Sequence, residues 1–418
     1  MSINIYVPRD TVANARGANK IVTQIERMAT RNNVDIKVIR NSSRGLYWLE
    51  PLVEVDTDAG RVGFGPVTED EVASLFDKDF YKGDTGHGLC LGLVEDIPYL
   101  KKQQRLTFAR AGITDPLSID DYRAYNGFKG LEKALTMSSQ EIVDQVKTSG
   151  LRGRGGAAFP TGIKWQTVLD TEAEQKYIVC NADEGDSGTF SDRMILEGDP
   201  LLLIEGMCIA GLAVGADKGY IYIRSEYPLA CDIFKYAILM AREAGYLGED
   251  IRGSGKTFNL ELRVGAGAYI CGEETSLLES LEGKRGIVRV KPQLPASEGL
   301  FGQPTGINNA ISLASVPSML DKGAEYYADC GMGRSRGTLP LQLAGNIKQA
   351  GMVELAFGMT LRQLVEDFGQ GTRSERPMRA IQVGGPLGAY LPESLWDLPL
   401  ALEAVSEPGW VLGPGRID

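Results

Sequence analysis

Short apolar strands alternate with helices between residues 176 and 281, and this alternation constrains the fold more than any other feature of the chain. The predicted strands cover residues 176–180, 219–223 and 260–264, and the helices that follow them cover 201–214, 230–244 and 273–281. Repeated β–α units predict an α/β fold with a parallel sheet. Ligands on such sheets lie beyond the carboxyl ends of the strands.

A glycine-rich run precedes the first of these strands. Residues 153–162 read GRGGAAFPTG and are followed by Lys164 and Trp165. Glycine accepts positive φ and exposes its N–H group, so this loop can lie close to a flat or phosphorylated ligand, with Arg154 and Lys164 supplying positive charge. A dinucleotide fingerprint would follow a strand, whereas residues 141–147 have helical periodicity. A plain helix-to-strand turn is therefore the alternative.

Two further segments place acidic residues directly after apolar runs. Residues 177–190 read YIVCNADEGDSGTF, and residues 265–275 read GAGAYICGEET, continuing to LEG at 281–283 and PTGINN at 304–309. Taken singly, the acidic residues could form a solvated turn or the first turn of a helix. Both groups nevertheless fall at the carboxyl ends of predicted strands, where a ligand is expected.

Together the three segments resemble the motifs of a family of flavin-bearing, NADH-oxidising subunits, the complex I 51 kDa flavoprotein family. It is shared by respiratory complex I, bidirectional hydrogenases and NAD-dependent formate dehydrogenases. The resemblance runs from about residue 150 to about residue 392. It implies an NADH:acceptor (diaphorase) subunit that transfers hydride between NAD(H) and FMN and passes electrons singly to or from iron–sulfur clusters. The flavin carries the hydride chemistry, so no catalytic side chain is predicted.

The resemblance also implies two sets of binding residues. The FMN set is Gly153, Arg154, Gly155, Lys164, Asn181, Asp183, Glu184, Tyr269, Gly272, Glu273, Glu274, Thr305, Ile307, Asn308 and Asn309. The NAD set is Phe159, Asp186, Glu274 and Lys291. Phe159 is expected to stack on the adenine. An acidic residue near the adenosine ribose would repel a 2′-phosphate, so NAD is preferred over NADP.

Residues 40–51, RNSSRGLYWLEP, form part of an N-terminal extension that complex I flavin subunits lack. Within the family, this extension favours the β subunit of a soluble, molybdenum-type NAD-dependent formate dehydrogenase, which converts formate and NAD⁺ to CO₂ and NADH. The implied partners are a molybdenum and Fe–S catalytic subunit and a small [2Fe-2S] thioredoxin-like subunit. Two alternatives stay open. One is the flavin subunit of an NADH–quinone oxidoreductase or a bidirectional hydrogenase, and the other is a nonredox docking or assembly subunit.

The chain divides into four predicted segments. The resemblance implies that residues 1–80 form a thioredoxin-like domain without cluster cysteines, 81–335 an FMN- and NAD-binding Rossmann-like domain and 336–400 a β-grasp (SLBB-like) domain, while residues 401–418 are predicted to form an irregular tail. Family members usually carry a further helical domain with a Ser-Cys-Gly-x-Cys-x-x-Cys run that holds a [4Fe-4S] cluster. The six cysteines of this chain, at 90, 180, 208, 231, 271 and 330, include no Cys-x-x-Cys pair. No metal site is therefore predicted in the chain.

Composition excludes several classes of function. A net charge of −11 argues against nucleic-acid binding, which requires a concentrated basic face. The most apolar region, residues 201–214, contains Glu205 and is shorter than the ~20 residues that span a bilayer. No leader segment is evident, and the scattered cysteines are typical of reduced thiols, so a cytoplasmic protein is predicted.

Overall fold

The computed structural model describes residues 2–290, 294–402 and 416–417. Its N-terminal unit is a five-stranded sheet in the order β2-β1-β3-β4-β5, covered by helices. The elements are β1 (Ile3–Tyr6), α1 (Thr11–Ala15), α2 (Ala18–Asn32), β2 (Ile36–Ile39), β3 (Val53–Thr57), β4 (Gly60–Phe64), α3 (Val72–Asp77) and β5 (Cys90–Leu93). β1 and β2 are parallel, and β3 and β4 form an antiparallel hairpin. The sheet continues through β5, beyond the predicted domain boundary at residue 80.

Two helices, α1 and α2, follow β1 in this unit. Gly17 adopts φ +98° between α1 and α2, a left-handed conformation that glycine accepts without strain. Beyond it, α2 buries Ala18, Ile21, Ile25 and Ala29 against the sheet. This spacing of three and four residues places them on one helix face, as amphipathic packing requires.

The central unit is an α/β domain with a four-stranded parallel sheet in the order β8-β7-β6-β9. Helices α4 (Pro98–Lys101), α5 (Ile119–Ala124), α6 (Lys129–Leu135), α7 (Ser139–Ser149) and α8 (Thr161–Asp170) precede it. The β–α units are β6 (Tyr177–Ala182), α9 (Ser191–Gly198), α10 (Pro200–Val214), β7 (Lys218–Ile223), α11 (Pro228–Glu243), β8 (Asn259–Val264), α12 (Glu274–Leu281) and β9 (Thr305–Asn309). After them come α13 (Ala310–Ala314), α14 (Val316–Lys322), α15 (Ala324–Ala328), β10 (Gly331–Met332) and β11 (Ser335–Arg336). The three predicted strands are present, and β9 is a fourth strand that was not predicted.

Helix α10 forms the centre of this domain, because every one of its residues is buried. A helix that is apolar on all sides is stable only inside a core. Its single acidic residue, Glu205, accepts hydrogen bonds from the Tyr122 hydroxyl and from the N–H groups of Phe128 and Leu131. Within the described ranges, no helix has the length and apolar character needed to cross a membrane.

The C-terminal unit is a second five-stranded sheet, in the order β13-β12-β16-β14-β15. Its elements are β12 (Thr338–Leu343), β13 (Gly351–Ala356), α16 (Leu361–Gln363), a π-helical turn (Leu364–Phe368), β14 (Ala380–Val383), β15 (Ala389–Pro392) and β16 (Arg416–Ile417). Thr360 and Gln363 form a capping box at the start of α16. Residues 401–418 were predicted to be irregular, but Arg416–Ile417 pair with β12 as a strand. Residues 403–415 and 418 lie outside the described residues.

Short 3₁₀ turns connect many of these elements. They cover Tyr47–Leu49, Glu69–Glu71, Phe80–Lys82, Val94–Asp96, Ile251–Gly253, Tyr269–Gly272, Leu300–Gly302, Gly385–Leu387 and Glu393–Leu395.

Residues 40–51 lie where the three units meet. The Asn41 side chain donates to the Gly112 carbonyl at 2.7 Å, which joins the N-terminal unit to the central one. The Gly45 carbonyl accepts the N–H of Met352 on β13 at 2.9 Å. Most of this segment is buried, including Ser42, Arg44 and Glu50. The N-terminal extension is therefore part of the packing between units.

Candidate functional site

A polar cavity of about 330 Å³ opens at the carboxyl edge of the parallel sheet. The three sequence segments predicted to form the site all contribute to its wall, together with the end of β9. The lining residues are Gly155, Asn181, Asp183, Glu184, Gly185, Asp186, Thr189, Asp192, Tyr269, Ile270, Gly272, Glu273 and Asn309. A parallel sheet binds ligands at this edge.

A larger cavity of about 700 Å³ lies in the C-terminal unit, lined by residues of β12 and β14 and the loop before β14. It shares no lining residue with the polar cavity. We place the site in the smaller cavity, because only that one lies at the carboxyl ends of the β–α units and is lined by the motif segments.

Asn181 and Asn309 stand side by side at the ends of β6 and β9, where the strand register pairs them. The Asn181 amide donates to the Gly272 carbonyl at 2.8 Å, and its oxygen accepts the N–H of Asp183 at 3.1 Å. The bond to Gly272 joins the second and third segments. Because hydrogen bonds at both ends of one amide fix its orientation, the wall is organised before a ligand arrives.

Glu184 is a buried carboxyl at the start of α9. It accepts the N–H groups of Asp192 and Arg193, each at 3.1 Å, and the Tyr227 hydroxyl at 3.0 Å. Burial raises the pKa of Glu184, although these donors act in the opposite direction. Glu184 thus serves the helix terminus as well as the cavity wall.

Tyr269 forms the outer wall and is 61% exposed. Its hydroxyl donates to Asp186 at 2.7 Å, which raises the pKa of the phenol. A Cβ atom on Gly185 would come within 2.9 Å of the Tyr269 ring, so glycine is needed for this close approach. The Tyr269–Asp186 pair therefore borders the cavity at a partly solvated position.

Glu273 caps α12 at the base of this wall, accepting the N–H groups of Thr275 and Ser276. Burial raises the pKa of its carboxyl, but the hydrogen bonds from Thr275 and Ser276 outweigh burial and the pKa is lowered overall. The negative charge at this helix terminus is stabilised by the helix itself.

The glycine loop reaches the cavity through Gly155. A Cβ atom there would lie 3.0 Å from the Cβ of Asn309. Gly153 is outside the lining, and its N–H closes the loop by donating to the Phe159 carbonyl at 2.9 Å. Only the bare backbone at Gly155 lets the loop pack beside β9 and leave space for a ligand.

Arg154 differs from the expectation that its charge faces the ligand. Its guanidinium is buried, donating to the Tyr327 hydroxyl at 2.9 Å and to the Arg336 carbonyl at 2.7 Å, and it lies over the Phe357 ring. Its backbone N–H donates to Ser312. The side chain therefore supports the loop from behind, because Tyr327 and Arg336, both distant in sequence, accept hydrogen bonds from its Nη2 atom.

Other predicted residues surround the cavity without lining it. Lys164 donates to the Ile307 carbonyl at 2.9 Å and pairs with Glu274 at 3.3 Å. Asn308 accepts the indole N–H of Trp165 at 2.9 Å. Thr305, Ile307 and Asn308 are buried in β9 rather than in a loop, and Phe159 is half-exposed outside the lining. Lys291 lies outside the described residues.

Four lining residues were not identified from the sequence: Gly185, Thr189, Asp192 and Ile270. Gly185, Thr189 and Ile270 lie inside the motif segments, where glycine, hydroxyl and apolar residues gave no separate signal. Asp192 lies two residues after the second segment and faces the cavity because α9 begins there. An acidic residue in the first turn of a helix is common, so the sequence position of Asp192 gave no separate signal.

The residues present fit a flavin nucleotide. Gly155 and Gly272 leave backbone uncovered along the cavity, as a flat ring requires. Carboxyl and amide oxygens of Asp183, Glu273 and Asn309 match the hydroxyl groups of a ribityl chain. The described lining contains no lysine or arginine, so a phosphate must be bound by N–H donors.

Asp183 makes the affinity for an anionic ligand depend on pH. Burial raises its pKa to about 6, although the nearby Arg224 acts in the opposite direction. The carboxyl is therefore neutral below that pH and charged above it, where it repels a phosphorylated ligand. We expect Asp183→Asn to match the wild-type affinity for FMN at pH 5 and to bind about three- to tenfold more tightly at pH 8. Quenching of FMN fluorescence measures both. If the ratio of the variant's affinity to the wild-type affinity were the same at pH 5 and pH 8, the prediction would be contradicted.

Comparison with known proteins identifies the family of this chain. Residues 146–318 match the family described as the Nuo51 FMN-binding domain. The chain is 48% identical over 315 residues to the NADP-reducing hydrogenase subunit HndC of Solidesulfovibrio fructosivorans, covering 75% of this chain and 64% of that protein. It is 44% identical over 310 residues to an NADH-quinone oxidoreductase subunit of Salmonella typhimurium, covering 74% of this chain and 70% of that protein.

A solved structure extends the match along almost the whole chain. An NAD⁺-reducing [NiFe]-hydrogenase in the air-oxidized state aligns with a TM-score of 0.62 and 27% identity, covering 99% of this chain and 68% of the hydrogenase chain. The present chain thus spans about two-thirds of the length of these relatives.

The fold and the cavity define an α/β flavoprotein with its flavin domain on a parallel sheet, and the predicted fold class is confirmed. The chain belongs to the complex I 51 kDa flavoprotein family. Membership also confirms the cofactors predicted for the family, FMN and NAD(H).

Proposed function

We propose that this chain transfers hydride between a nicotinamide nucleotide and FMN, as the flavin subunit of a multisubunit oxidoreductase of the hydrogenase or NADH–quinone oxidoreductase type. The observation that carries the proposal is the convergence of three separate motif segments on one cavity at the carboxyl edge of the sheet. When bound, FMN supplies the exchange between two-electron and one-electron transfer.

The chain's own residues bind and orient the flavin and the nicotinamide nucleotide. Gly155 and Gly272 let backbone approach the flat ring, and the Asn181 and Asn309 amides hold the two strand ends that border it. Tyr269 and Asp186 lie at the solvated side, where a nucleotide would enter. Holding the two reactants in contact is the main contribution that a protein makes to a hydride transfer between cofactors.

The partner complex is proposed from the relatives. Hydrogenase and NADH–quinone oxidoreductase subunits support that class more strongly than a molybdenum formate dehydrogenase. The N-terminal extension does not separate them, because the match to a hydrogenase chain covers 99% of this chain and so includes the extension. Formate dehydrogenase stays the second candidate. Electron transfer to iron–sulfur clusters of partner subunits is part of either proposal.

Two purifications test the proposal. The isolated chain tests the flavin chemistry, and the intact complex, expressed from the native promoter, tests the identity of the partner. The isolated chain reconstituted with FMN should be yellow, and NADH should bleach the flavin absorbance. A chain that stays colourless, or a flavin that NADH does not bleach, would favour a nonredox docking or assembly subunit. Copurifying subunits and reduction of the flavin by hydrogen or by formate in the intact complex identify the partner.

Asp186 is proposed to set the preference between NADH and NADPH. Its carboxyl lies at the cavity border, bonded to Tyr269, and negative charge there repels a 2′-phosphate. We expect Asp186→Asn to raise kcat/KM for NADPH about tenfold and to change that for NADH less than about threefold. Steady-state reduction of an artificial electron acceptor measures both. Equal changes with the two nucleotides would show that Asp186 does not contact the ribose region.

A further inference from the structure

Asp192 is a buried carboxyl on the cavity wall, and neither the motifs nor the proposed hydride transfer uses it. The residue is only 4% exposed, yet it lines the cavity beside Gly155 and Asn309. Its Oδ2 atom accepts a hydrogen bond from the Asn309 amide at 2.8 Å. Among the described residues, its Oδ1 atom has no hydrogen-bond partner and no lysine or arginine nitrogen lies within ion-pair distance of the carboxyl.

The groups around Asp192 disfavour a negative charge. The Glu184 carboxyl accepts the backbone N–H of Asp192 itself, so the two acids are neighbours. Burial, and then the charge of Glu184, raise the pKa of Asp192 well above its ordinary value, while the bond from Asn309 opposes this shift. On β6, the buried Cys180 thiol has a raised pKa because of burial and the Asp192 charge. These groups give no compensating cation.

The elements packed against α9 supply no compensating cation for Asp192 either. Arg193, the next residue, places its guanidinium over the Tyr227 ring at the start of α11. The Tyr227 hydroxyl donates to Glu184 rather than to Asp192. Helix α13 has no titratable side chain, and Glu205 on α10 is occupied by Tyr122 and backbone N–H groups. A buried carboxyl without a cation or enough donors is most stable in its neutral form.

We propose that Asp192 is a neutral carboxylic acid whose O–H group donates a hydrogen bond to FMN in the cavity, which makes it a flavin-positioning residue. The inference rests on the proposed function. Asn309 occupies one carboxyl oxygen, the other has no hydrogen-bond partner among the described residues, and Asp192 lines the cavity in which we place the flavin. A neutral donor at this place suits a ligand with an anionic phosphate, which a second ionised carboxylate beside Glu184 would repel.

Asp192→Asn tests the protonation state, since it keeps an oxygen for Asn309 and replaces the O–H donor by an N–H donor. If the wild-type acid is neutral, the substitution changes no charge, and the FMN Kd of the full chain at pH 8 should stay within about threefold. Asp183→Asn is the matched control in the same cavity. It removes a charge at pH 8 and should tighten binding about three- to tenfold.

An infrared measurement gives a readout independent of affinity. The difference spectrum between the FMN-bound and free chain should contain a protonated-carboxyl C=O band that is lost in Asp192→Asn and kept in Asp183→Asn. Circular dichroism checks that both variants are folded.

Two outcomes would overturn the inference while leaving the proposed function intact. One is an increase in the FMN affinity of Asp192→Asn at pH 8 as large as the increase in Asp183→Asn. The other is an infrared difference spectrum of Asp192→Asn that is identical to that of the wild type. A folded wild-type chain that binds no FMN would instead overturn the proposed function, and this inference with it.

Discussion

Gly155→Val should lower the affinity for FMN about 100-fold, and Gly155→Ala about tenfold. The φ angle of Gly155 lies outside the left-handed region, so the substitutions do not strain the backbone. The added Cβ atom would lie 3.0 Å from the Asn309 Cβ atom, and the valine methyl groups must enter the cavity or displace Asn309. Because Asn309 also donates a hydrogen bond to Asp192, displacing Asn309 would also move Asp192 on the cavity wall. Quenching of FMN fluorescence measures the loss.

Gly153→Ala is the matched control in the same loop. Its Cβ atom would meet its nearest neighbour, the Phe159 carbonyl oxygen, at an ordinary 3.6 Å, and the residue does not line the cavity. We expect its affinity for FMN to stay within about threefold of the wild type. Equal losses for the two alanine variants would mean that the loop, rather than the position of Gly155, determines binding.

Glu354→Ala should destabilise the junction between the central and C-terminal units by about 3–5 kcal/mol. The Glu354 carboxylate on β13 is fully buried and accepts the N–H groups of Leu106, Thr107 and Phe108 at 2.9–3.1 Å. It also accepts the Thr338 hydroxyl. Alanine leaves three buried N–H groups without an acceptor, at about 1–3 kcal/mol each before relaxation.

Calorimetry suits this measurement, because a chain with several units need not unfold in one step. The transition that contains the C-terminal unit should move to lower temperature, and residues 104–108 should become susceptible to proteolysis. Glu366→Ala, which removes an exposed carboxyl 3.8 Å from Arg362, is the control and should change stability by less than about 0.5 kcal/mol. A similar melting curve for both variants would refute this role of Glu354 at the junction.

The alternation of strands and helices could be predicted from the sequence, because apolar periodicity and glycine preference act within a few residues. The two acidic motif segments could likewise be placed at strand ends. β9 was missed: residues 305–309, TGINN, contain two asparagines and a glycine, which disfavour strands locally. Pairing with β6 along its whole length overrides that preference.

The α/β class and the segments that meet at the cavity could be predicted from the sequence alone. Which side chains face that cavity depends on tertiary contacts. Arg154 turns away because Tyr327 and Arg336, more than 170 residues later, accept its hydrogen bonds. Asp192 faces inward because Asn309 on β9 holds it there. The direction of these side chains depends on partners that are distant in sequence. Apolar periodicity along the chain predicts only which face of a helix or strand is buried.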